Sequence, residues 1–208
     1  MSADLSQRHF SFEDFLAWEE AQTERHEYIG GEVFAMAGGS TVHNTLTGNM
    51  YMALRTQTRG TPCRVYMADV KLYVQAAGAS YYPDVFVTCS TADAARTHAQ
   101  EDALLIVEVL SPSTEGHDRG DKFAAYRLIP GLQAVVFVAQ EKPHIEVFIR
   151  NAEGTWTLYE ASGIDATLAC PTTERAFSFA LAEVYAEVDF SAAQAKAEAA
   201  AASSGTSA

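Results

Sequence analysis

The chain has 208 residues, of which 48% are hydrophobic, and a formal net charge of −13. A chain of this length can bury a substantial core, so we expect one folded domain over residues 1–190 and an alanine-rich, partly disordered tail over residues 191–208. The negative charge argues against broad neutralisation of nucleic-acid phosphates, which needs a basic surface. Any site that handles phosphate must therefore be local.

Cysteine content and hydrophobicity bear on the cellular setting. The cysteines, Cys63, Cys89 and Cys170, are odd in number and form no CxxC pair, so they predict neither a disulfide framework nor a zinc site. The N-terminus lacks an apolar signal core, and no segment approaches the roughly 18 apolar residues that a membrane helix requires. We therefore expect a reduced, soluble, cytoplasmic protein without a membrane partner.

In chain order, the first predicted elements are a helix and a hairpin. Ser11 can cap a helix that ends near Gln22, with aromatic and aliphatic residues at helical spacing. Gly30-Gly31 then separates two extended segments, residues 26–29 and 32–36. This arrangement is typical of a hairpin with a two-residue turn.

A second helix and three strands follow. Apolar residues recur on one side of residues 41–59, and a glycine comes directly afterwards, which predicts a helix over this segment. Residues 65–74 alternate between apolar and polar side chains, and residues 81–88 and 104–110 are rich in apolar residues. Each of the three segments predicts a strand.

The C-terminal half predicts one more helix and further strands. The helix covers about residues 118–128 and ends before a Pro-Gly pair, and an apolar strand follows over residues 133–139. A second hairpin is expected over residues 145–159, and residues 177–188 predict a closing segment that passes from strand to helix. The order is helix, three strands, helix and strand, with hairpins before and after, which predicts an α/β fold.

Glu108 is the most informative single residue. It lies within LLIVEVL, a segment that predicts a strand covered on both faces, where an isolated carboxylate costs several kcal/mol of desolvation. Because side chains alternate along a strand, Glu108 shares its face with Leu104, Ile106 and Leu110. A neighbouring group must offset the cost of burying this acid.

Asp84 is a second acid of the same kind. It follows Pro83 in YYPDVFV and begins an apolar strand that we expect to lie beside that of Glu108. Two such acids repel each other unless a cation lies between them, and a divalent ion is the simplest candidate. Mg²⁺ prefers hard oxygen ligands and keeps several waters, so Asp84, Glu108 and the carbonyl of Val109 are a sufficient ligand set. Such an ion can promote phosphodiester hydrolysis.

Four lysines are candidates for the positive group that orients or deprotonates the attacking water. Lys142 is predicted in a turn and Lys196 in the tail. Lys122 falls in the first turn of the helix that follows the Glu108 strand, and Lys71 lies on a predicted strand after Asp69. Both remain candidates at this point.

Purely structural roles compete with these interpretations. Glu108 can be a buried acid paired with Arg64, Arg119 or a tyrosine hydroxyl. Asp84 can bond nearby backbone at the start of its strand, and Lys122 can be a solvated helix residue. A purely structural role explains either acid alone better than it explains both acids together.

Five blocks of the sequence resemble the Uma-type endonuclease family, a former domain of unknown function within the PD-(D/E)XK nuclease superfamily. The order of the blocks matches that of the family, and the similarity extends to about residue 188. The blocks are RHEYIGGEVFAMAGGSTVHN (25–44), MADVKLYV (67–74), YYPDVFV (81–87), LIVEVLSPST (105–114) and DRGDKFAAY (118–126).

The resemblance implies a restriction-endonuclease-like core of helix, three mostly antiparallel strands, helix and strand, with added β-hairpins. It assigns Pro83-Asp84 as the "PD" and Glu108 as the second acid. No lysine stands two residues after Glu108, where the superfamily motif has one, and the family takes its lysine from the next helix, here Lys122. Glu32 and His43 lie in matching blocks, and the resemblance implies that they complete the catalytic site.

The implied activity is hydrolysis of DNA by an endonuclease that uses Mg²⁺, with Mn²⁺ as a substitute. Cutting both strands benefits from two sites, and hairpins can pair across a two-fold axis, so we expect a homodimer. A nuclease-fold protein that binds or assembles without cutting is the main alternative, because the lysine in the standard position is missing and the chain is acidic. RNA or a small phosphoester is an alternative substrate.

Overall fold

A computed structural model describes residues 9–36 and 38–191 of the chain. Sheets of five and six strands and a separate two-stranded sheet make up most of the structure, which is the α/β architecture that the sequence predicts. The predicted alanine-rich tail lies outside the described residues, apart from Ser191.

The structure contains five α-helices and thirteen strands among the described residues. The helices are α1 (Phe12–Glu19), α2 (Thr41–Gln57), α3 (Glu115–His117), α4 (Phe123–Tyr126) and α5 (Leu181–Val184), and the π-helical turn Asp118–Lys122 joins α3 to α4. The strands are β1 (His26–Ile29), β2 (Glu32–Ala35), β3 (Arg64–Met67), β4 (Lys71–Val74), β5 (Ala79–Tyr81), β6 (Val85–Thr88), β7 (Ala99–Gln100), β8 (Leu105–Leu110), β9 (Ala134–Ala139), β10 (His144–Arg150), β11 (Trp156–Ser162), β12 (Thr167–Pro171) and β13 (Ala176–Ala180). None of the described helices is long and apolar enough to cross a membrane.

Capping residues and a glycine turn begin or connect the N-terminal elements, as predicted from the sequence. Ser11 caps α1 by accepting a hydrogen bond from the backbone N–H of Asp14 at 3.1 Å. Gly30 and Gly31 form the turn between β1 and β2 with φ angles of 57° and 95°, a left-handed conformation that glycine adopts without steric cost. Ser40 caps α2 by accepting from the N–H of His43 at 3.1 Å.

The six-stranded sheet is the centre of the molecule. Its order is β11-β10-β9-β8-β6-β3, with β6 antiparallel and β9 parallel to β8. All six residues of β8 are buried, as predicted for a strand covered on both faces. Together with α2 and the helical segment 115–126, these strands form the predicted core.

Different elements cover the two faces of this sheet. On one face, α2, the β12–β13 hairpin and α5 pack against side chains such as Val107 and Val136. On the other face, strands β4 and β5 of the five-stranded sheet and the helical segment 115–126 pack against Ile106, Leu110 and Phe137. Because side chains alternate along β8, Glu108 points into the space between the two sheets.

Two segments predicted as single strands are each divided between the two sheets. Residues 65–74 form β3 and β4, which are interrupted at Ala68, where φ is 50°. Residues 81–88 leave the five-stranded sheet after Tyr81 and enter the six-stranded sheet at Val85. Pro83 has no N–H for a ladder hydrogen bond, which favours the break. Asp84 therefore lies at the crossing point between the sheets.

The prediction of reduced cysteines is wrong for one pair, because Cys63 and Cys89 form a disulfide. β3 pairs with β6 so that Arg64 faces Thr88, and the next positions outward are Cys63 and Cys89. The partners lie 26 residues apart in the chain, so local spacing gave no sign of the pair. Cys170 remains a free, buried thiol.

Candidate active site

Glu108 is 2% exposed and is held by a tyrosine hydroxyl. The hydroxyl of Tyr126 donates a hydrogen bond to Oε1 of Glu108 at 2.6 Å. Burial raises the pKa of Glu108 to about 8, and the negative charges of Asp84 and Asp118 act in the same direction. Among the partners that a purely structural role would give Glu108, the structure contains the tyrosine hydroxyl. Further charged side chains also lie close to Glu108.

Lys122 is the buried cation of the site. Its ammonium lies 2.9 Å from Oε1 of Glu27, 3.3 Å from Oδ1 of Asp118 and 3.7 Å from Oε1 of Glu108. Although burial disfavours the charged form, the carboxylates of Glu108, Glu27 and Asp118 raise the pKa of Lys122. The lysine therefore carries its charge at neutral pH and cannot serve as a general base while it does so.

The π-helical turn brings Asp118 and Lys122 to the same place. Asp118 is 3% and Lys122 is 7% exposed, so both side chains turn inward from this segment. A π-helical turn is wider than an α-helical one, and such turns occur frequently at functional sites. The turn follows β8 after the loop of residues 111–114 and the short helix α3, and both of its inward side chains lie beside Glu108.

Backbone N–H groups link the side chains of Asp84 and Glu108. The N–H of Val109 donates to Oδ2 of Asp84 at 2.7 Å, and the N–H of Asp84 lies 3.5 Å from Oε2 of Glu108. The N–H and C=O of one strand residue point to the same side, so the carbonyl of Val109 also faces the strand that contains Asp84. The two acids and Val109 therefore lie together, as predicted from sequence.

His43 joins this group from the first turn of α2. Its Nε2 lies 3.3 Å from Oδ2 of Asp84, and this hydrogen bond raises the pKa of His43. The ring packs on Gly39, where a Cβ atom would lie 3.1 Å from Nδ1 of His43. The ring position is therefore set both by the helix start and by the acid.

An open cleft of about 340 Å³ connects these side chains to solvent, and we call it the acid cleft. Its lining includes His43, Asp84, Glu108, Asp118 and Lys122. The remaining walls come from the start of α2 and from the loop of residues 111–114 after β8. Negative charge exceeds positive charge in this cleft, which favours a bound cation.

The structure brings together four of the five predicted catalytic side chains, namely Asp84, Glu108, Lys122 and His43. Glu32 is not among them, because it lies exposed on β2, opposite Ile29 and next to the hairpin turn. The acid that β1 contributes is instead Glu27, which is 8% exposed and contacts Lys122. The alternative lysine, Lys71, lies over the ring of Tyr82 at 5.2 Å.

Three members of the site were missed at the sequence level. Glu27 is a single acid in the short strand HEYI, which is the same kind of signal that singled out Glu108. Asp118 precedes Lys122 by four positions, a spacing that places two helical side chains on one face. Tyr126 follows Lys122 by four positions and carries no local sign of its contact with Glu108.

Comparisons with known proteins identify the family of the chain and its fold. A model of the family described as "Uma2: Putative restriction endonuclease" matches residues 12–182. Two uncharacterized proteins of Synechocystis are similar in sequence. The protein slr1290 is 37% identical over 72% of this chain and 80% of its own length, and sll1609 is 32% identical over 74% of this chain and 89% of its own length.

A solved structure shares the fold. It is the crystal structure of "a putative nuclease belonging to DUF820 from Anabaena variabilis", with a TM-score of 0.64. The similarity covers 85% of this chain and 97% of that chain at 14% sequence identity. At this identity the likeness concerns the fold alone.

Proposed function

Because the chain belongs to the Uma2 family of restriction-endonuclease-like proteins, we propose that it is a nuclease that hydrolyses phosphodiester bonds of DNA with a divalent metal ion. The observation that supports this proposal most strongly is the convergence of Asp84, Glu108 and Lys122 in one cleft. Structural ion pairs also occur in proteins, but two acids and a lysine from separate elements at an open cleft are typical of a reactive site.

The donor set of the acid cleft suits Mg²⁺ or Mn²⁺. Asp84, Glu108 and the carbonyl of Val109 supply hard oxygen ligands, and the open cleft leaves room for water and a phosphate group. When bound, such an ion supplies the positive charge that a phosphodiester and its attacking water require in the transition state. Val109 N–H holds the Asp84 carboxylate at 2.7 Å, which fixes its orientation in advance.

Lys122 has an orienting and electrostatic role in this proposal. Its ammonium stays charged beside Glu27, Asp118 and Glu108, so it can donate hydrogen bonds to the attacking water or to the phosphate. Glu27 and Asp118 hold it in place. His43 is the group in the cleft whose ordinary pKa lies nearest neutrality, which suits it to exchange a proton with the leaving group.

Cleavage of supercoiled plasmid DNA with Mg²⁺ or Mn²⁺ tests the proposal. We expect the protein to nick or linearise the plasmid, and Asp84→Asn or Glu108→Gln to reduce the rate at least a hundredfold. Glu153→Gln, an exposed acid in the turn between β10 and β11, is the matched control and should keep the rate of the unmodified protein. Cleavage that persists undiminished in Asp84→Asn and Glu108→Gln would overturn the assignment.

The same preparations separate the alternatives. Calorimetric titration with Mn²⁺ should show one binding event or more that both acid variants lose. Binding of metal without cleavage of plasmid, RNA or bis(4-nitrophenyl) phosphate favours a binding or assembly module. Cleavage of only RNA or of only the small diester assigns a different substrate class to the same site.

We further propose that the protein acts as a homodimer. The outer strand of the six-stranded sheet, β11, is mostly exposed and carries Leu158 and Tyr159, so it offers an unpaired edge to a second copy. Light scattering should give a mass near twice the 22.5 kDa of one chain. A species of 22.5 kDa alone contradicts this expectation.

A further inference from the structure

A second cleft adjoins the acid cleft and shares His43 and Asp84 with it. It has a volume of about 440 Å³, and we call it the side cleft. It is bounded by the turn before β1, the first half of α2 and the turn between β3 and β4. The residues that only the side cleft contains include Glu24, Arg25, Asn44, Thr47, Met67 and Ala68.

The two clefts share a wall. Met36, His43, Tyr82 and Asp84 line both of them. A phosphodiester placed at Asp84 and Glu108 would therefore have the side cleft directly beside it. One of the two nucleosides that flank the phosphate would lie at or in this space.

The mouth of the side cleft is held by hydrogen bonds. The N–H of Ala68 donates to the carbonyl of Asp84 at 3.2 Å, and the carbonyl of Ala68 accepts from Nη1 of Arg25 at 3.0 Å. Arg25 also pairs with Asp69 at 2.8 Å. Ala68 has a φ of 50°, which residues other than glycine adopt where their surroundings impose it. The cleft is therefore formed before any ligand arrives.

The chemistry of the lining suits a nucleobase better than a phosphate. Among the lining residues, the acids Glu24 and Asp84 outnumber the cation Arg25, so the cleft does not attract anions strongly. Met36 and Met67 supply polarizable surface against which a flat base can pack, and Tyr82, which is only 4% exposed, also lines the cleft. Asn44 on α2 adds an amide that can bond the edge of a base.

Thr47 provides a second polar group. It is 4% exposed, it lines the side cleft, and its hydroxyl has no hydrogen-bond partner in the part of the chain that the structure describes. A buried hydroxyl without a partner is costly, and because this oxygen is itself buried, a ligand in the adjacent cleft can bond it only after the Thr47 side chain rotates.

The size of the cleft limits the form of the substrate. A compact space of 440 Å³ is about 9 Å across, which is enough for one base but not for a base pair together with both of its backbones. A base can enter only if it leaves the helical stack. We propose that the side cleft binds one unpaired nucleotide next to the scissile phosphate, so that the substrate is single-stranded or locally unpaired DNA. This inference rests on the proposed nuclease function.

Equilibrium binding of fluorescein-labelled oligonucleotides tests the inference. Anisotropy is measured with a 12-nucleotide single strand and with a hairpin duplex of the same sequence, in Ca²⁺, which takes oxygen ligands as Mg²⁺ does. We expect the single strand to bind at least tenfold more tightly than the duplex. Asn44→Trp, which fills the side cleft from an exposed helix position, should weaken binding of the single strand about tenfold or more.

Thr56→Trp is the matched control, because it places the same side chain at an exposed position of α2 that lines neither cleft. It should bind both oligonucleotides as the unmodified protein does. Arg25→Ala provides a second test at the mouth of the cleft and should also weaken binding of the single strand. Circular dichroism and Mn²⁺ titration confirm that each variant is folded and keeps its metal site.

The outcomes separate this inference from the proposed function. Tighter binding of the duplex, no binding of the single strand, or unchanged binding in Asn44→Trp would overturn the inference, even if plasmid DNA is cut. Selective binding of the single strand, lost in Asn44→Trp, supports it even if Mn²⁺ assays detect no hydrolysis. In that last case only the nuclease proposal fails.

Discussion

The ammonium of Lys122 lies 2.9 Å from Oε1 of Glu27, so the lysine of the candidate site is paired with an acid from the first strand of the chain. The contact joins the helical segment after β8 to β1 in the other sheet. It defines the site as a place where two sheets separate and polar side chains from both sheets meet.

This contact predicts different effects for two neighbouring acids. Glu27→Gln should lower DNA cleavage at least tenfold, because Lys122 loses its nearest counter-charge and its position. Glu32→Gln should change cleavage less than twofold, because Glu32 is exposed on β2. Rates on supercoiled plasmid measure both. A loss in Glu32→Gln comparable with that in Glu27→Gln would restore the role predicted for Glu32 from sequence.

The two candidate lysines can be separated in a similar way. Lys122→Met leaves the acidic side chains of Glu27, Asp118 and Glu108 close together without a cation, and removing one partner of a buried ion pair costs about 3 kcal/mol of unfolding free energy. Lys71→Met removes only a contact over the Tyr82 ring and should cost less than about 1 kcal/mol.

Urea unfolding and plasmid cleavage check both variants. Saturating Mn²⁺ should restore part of the stability of Lys122→Met, because a cation again offsets the acids. Cleavage should be lost in Lys122→Met and kept in Lys71→Met. The reverse pattern would move the catalytic lysine to the β4 position.

Without bound metal, the free energy of unfolding should decrease as pH rises. The pKa of Glu108 is about 8 in the folded protein and 4.5 in its ordinary state, so the folded form holds a proton that the unfolded form has released. Between these values the unfolded state binds fewer protons, and the free energy of unfolding falls as pH rises. Guanidinium unfolding in EDTA from pH 5 to pH 8 should show this decrease, and Glu108→Gln should lack that part of it. An equal slope in Glu108→Gln would show that Glu108 is already ionised.

Thiol reactivity should reflect the disulfide and the buried cysteine. Cys63 and Cys89 are paired, and burial raises the pKa of Cys170 to about 12, which disfavours the reactive thiolate. Native protein purified without reductant should therefore show no rapidly reacting thiol with Ellman's reagent, and unfolded protein should show one. Two reactive thiols in the native protein would mean that the pair is reduced.

Local sequence determined many of the elements and singled out the two acids of the proposed metal site. The spacing of hydrophobic residues and the turn residues predict α1, the β1–β2 hairpin, α2 and the strand β8. Each of these elements depends on residues only a few positions apart in the chain. Glu108 could be singled out because an acid in a fully covered strand requires a partner wherever the strand lies. The same reasoning selected Asp84, whereas the choice of Lys122 over Lys71 came from the resemblance to the family.

Tertiary structure alone decided which distant groups complete the site. Residues 65–74 and 81–88 divide between two sheets, and this crossing places Asp84 at the point where the sheets separate. Glu27, the side cleft and the Cys63–Cys89 pair all depend on how strands distant in the chain pair and pack. Such pairings arise when complete faces of sheets and helices are buried against one another. The local spacing of hydrophobic residues does not determine which distant strand will become the neighbour.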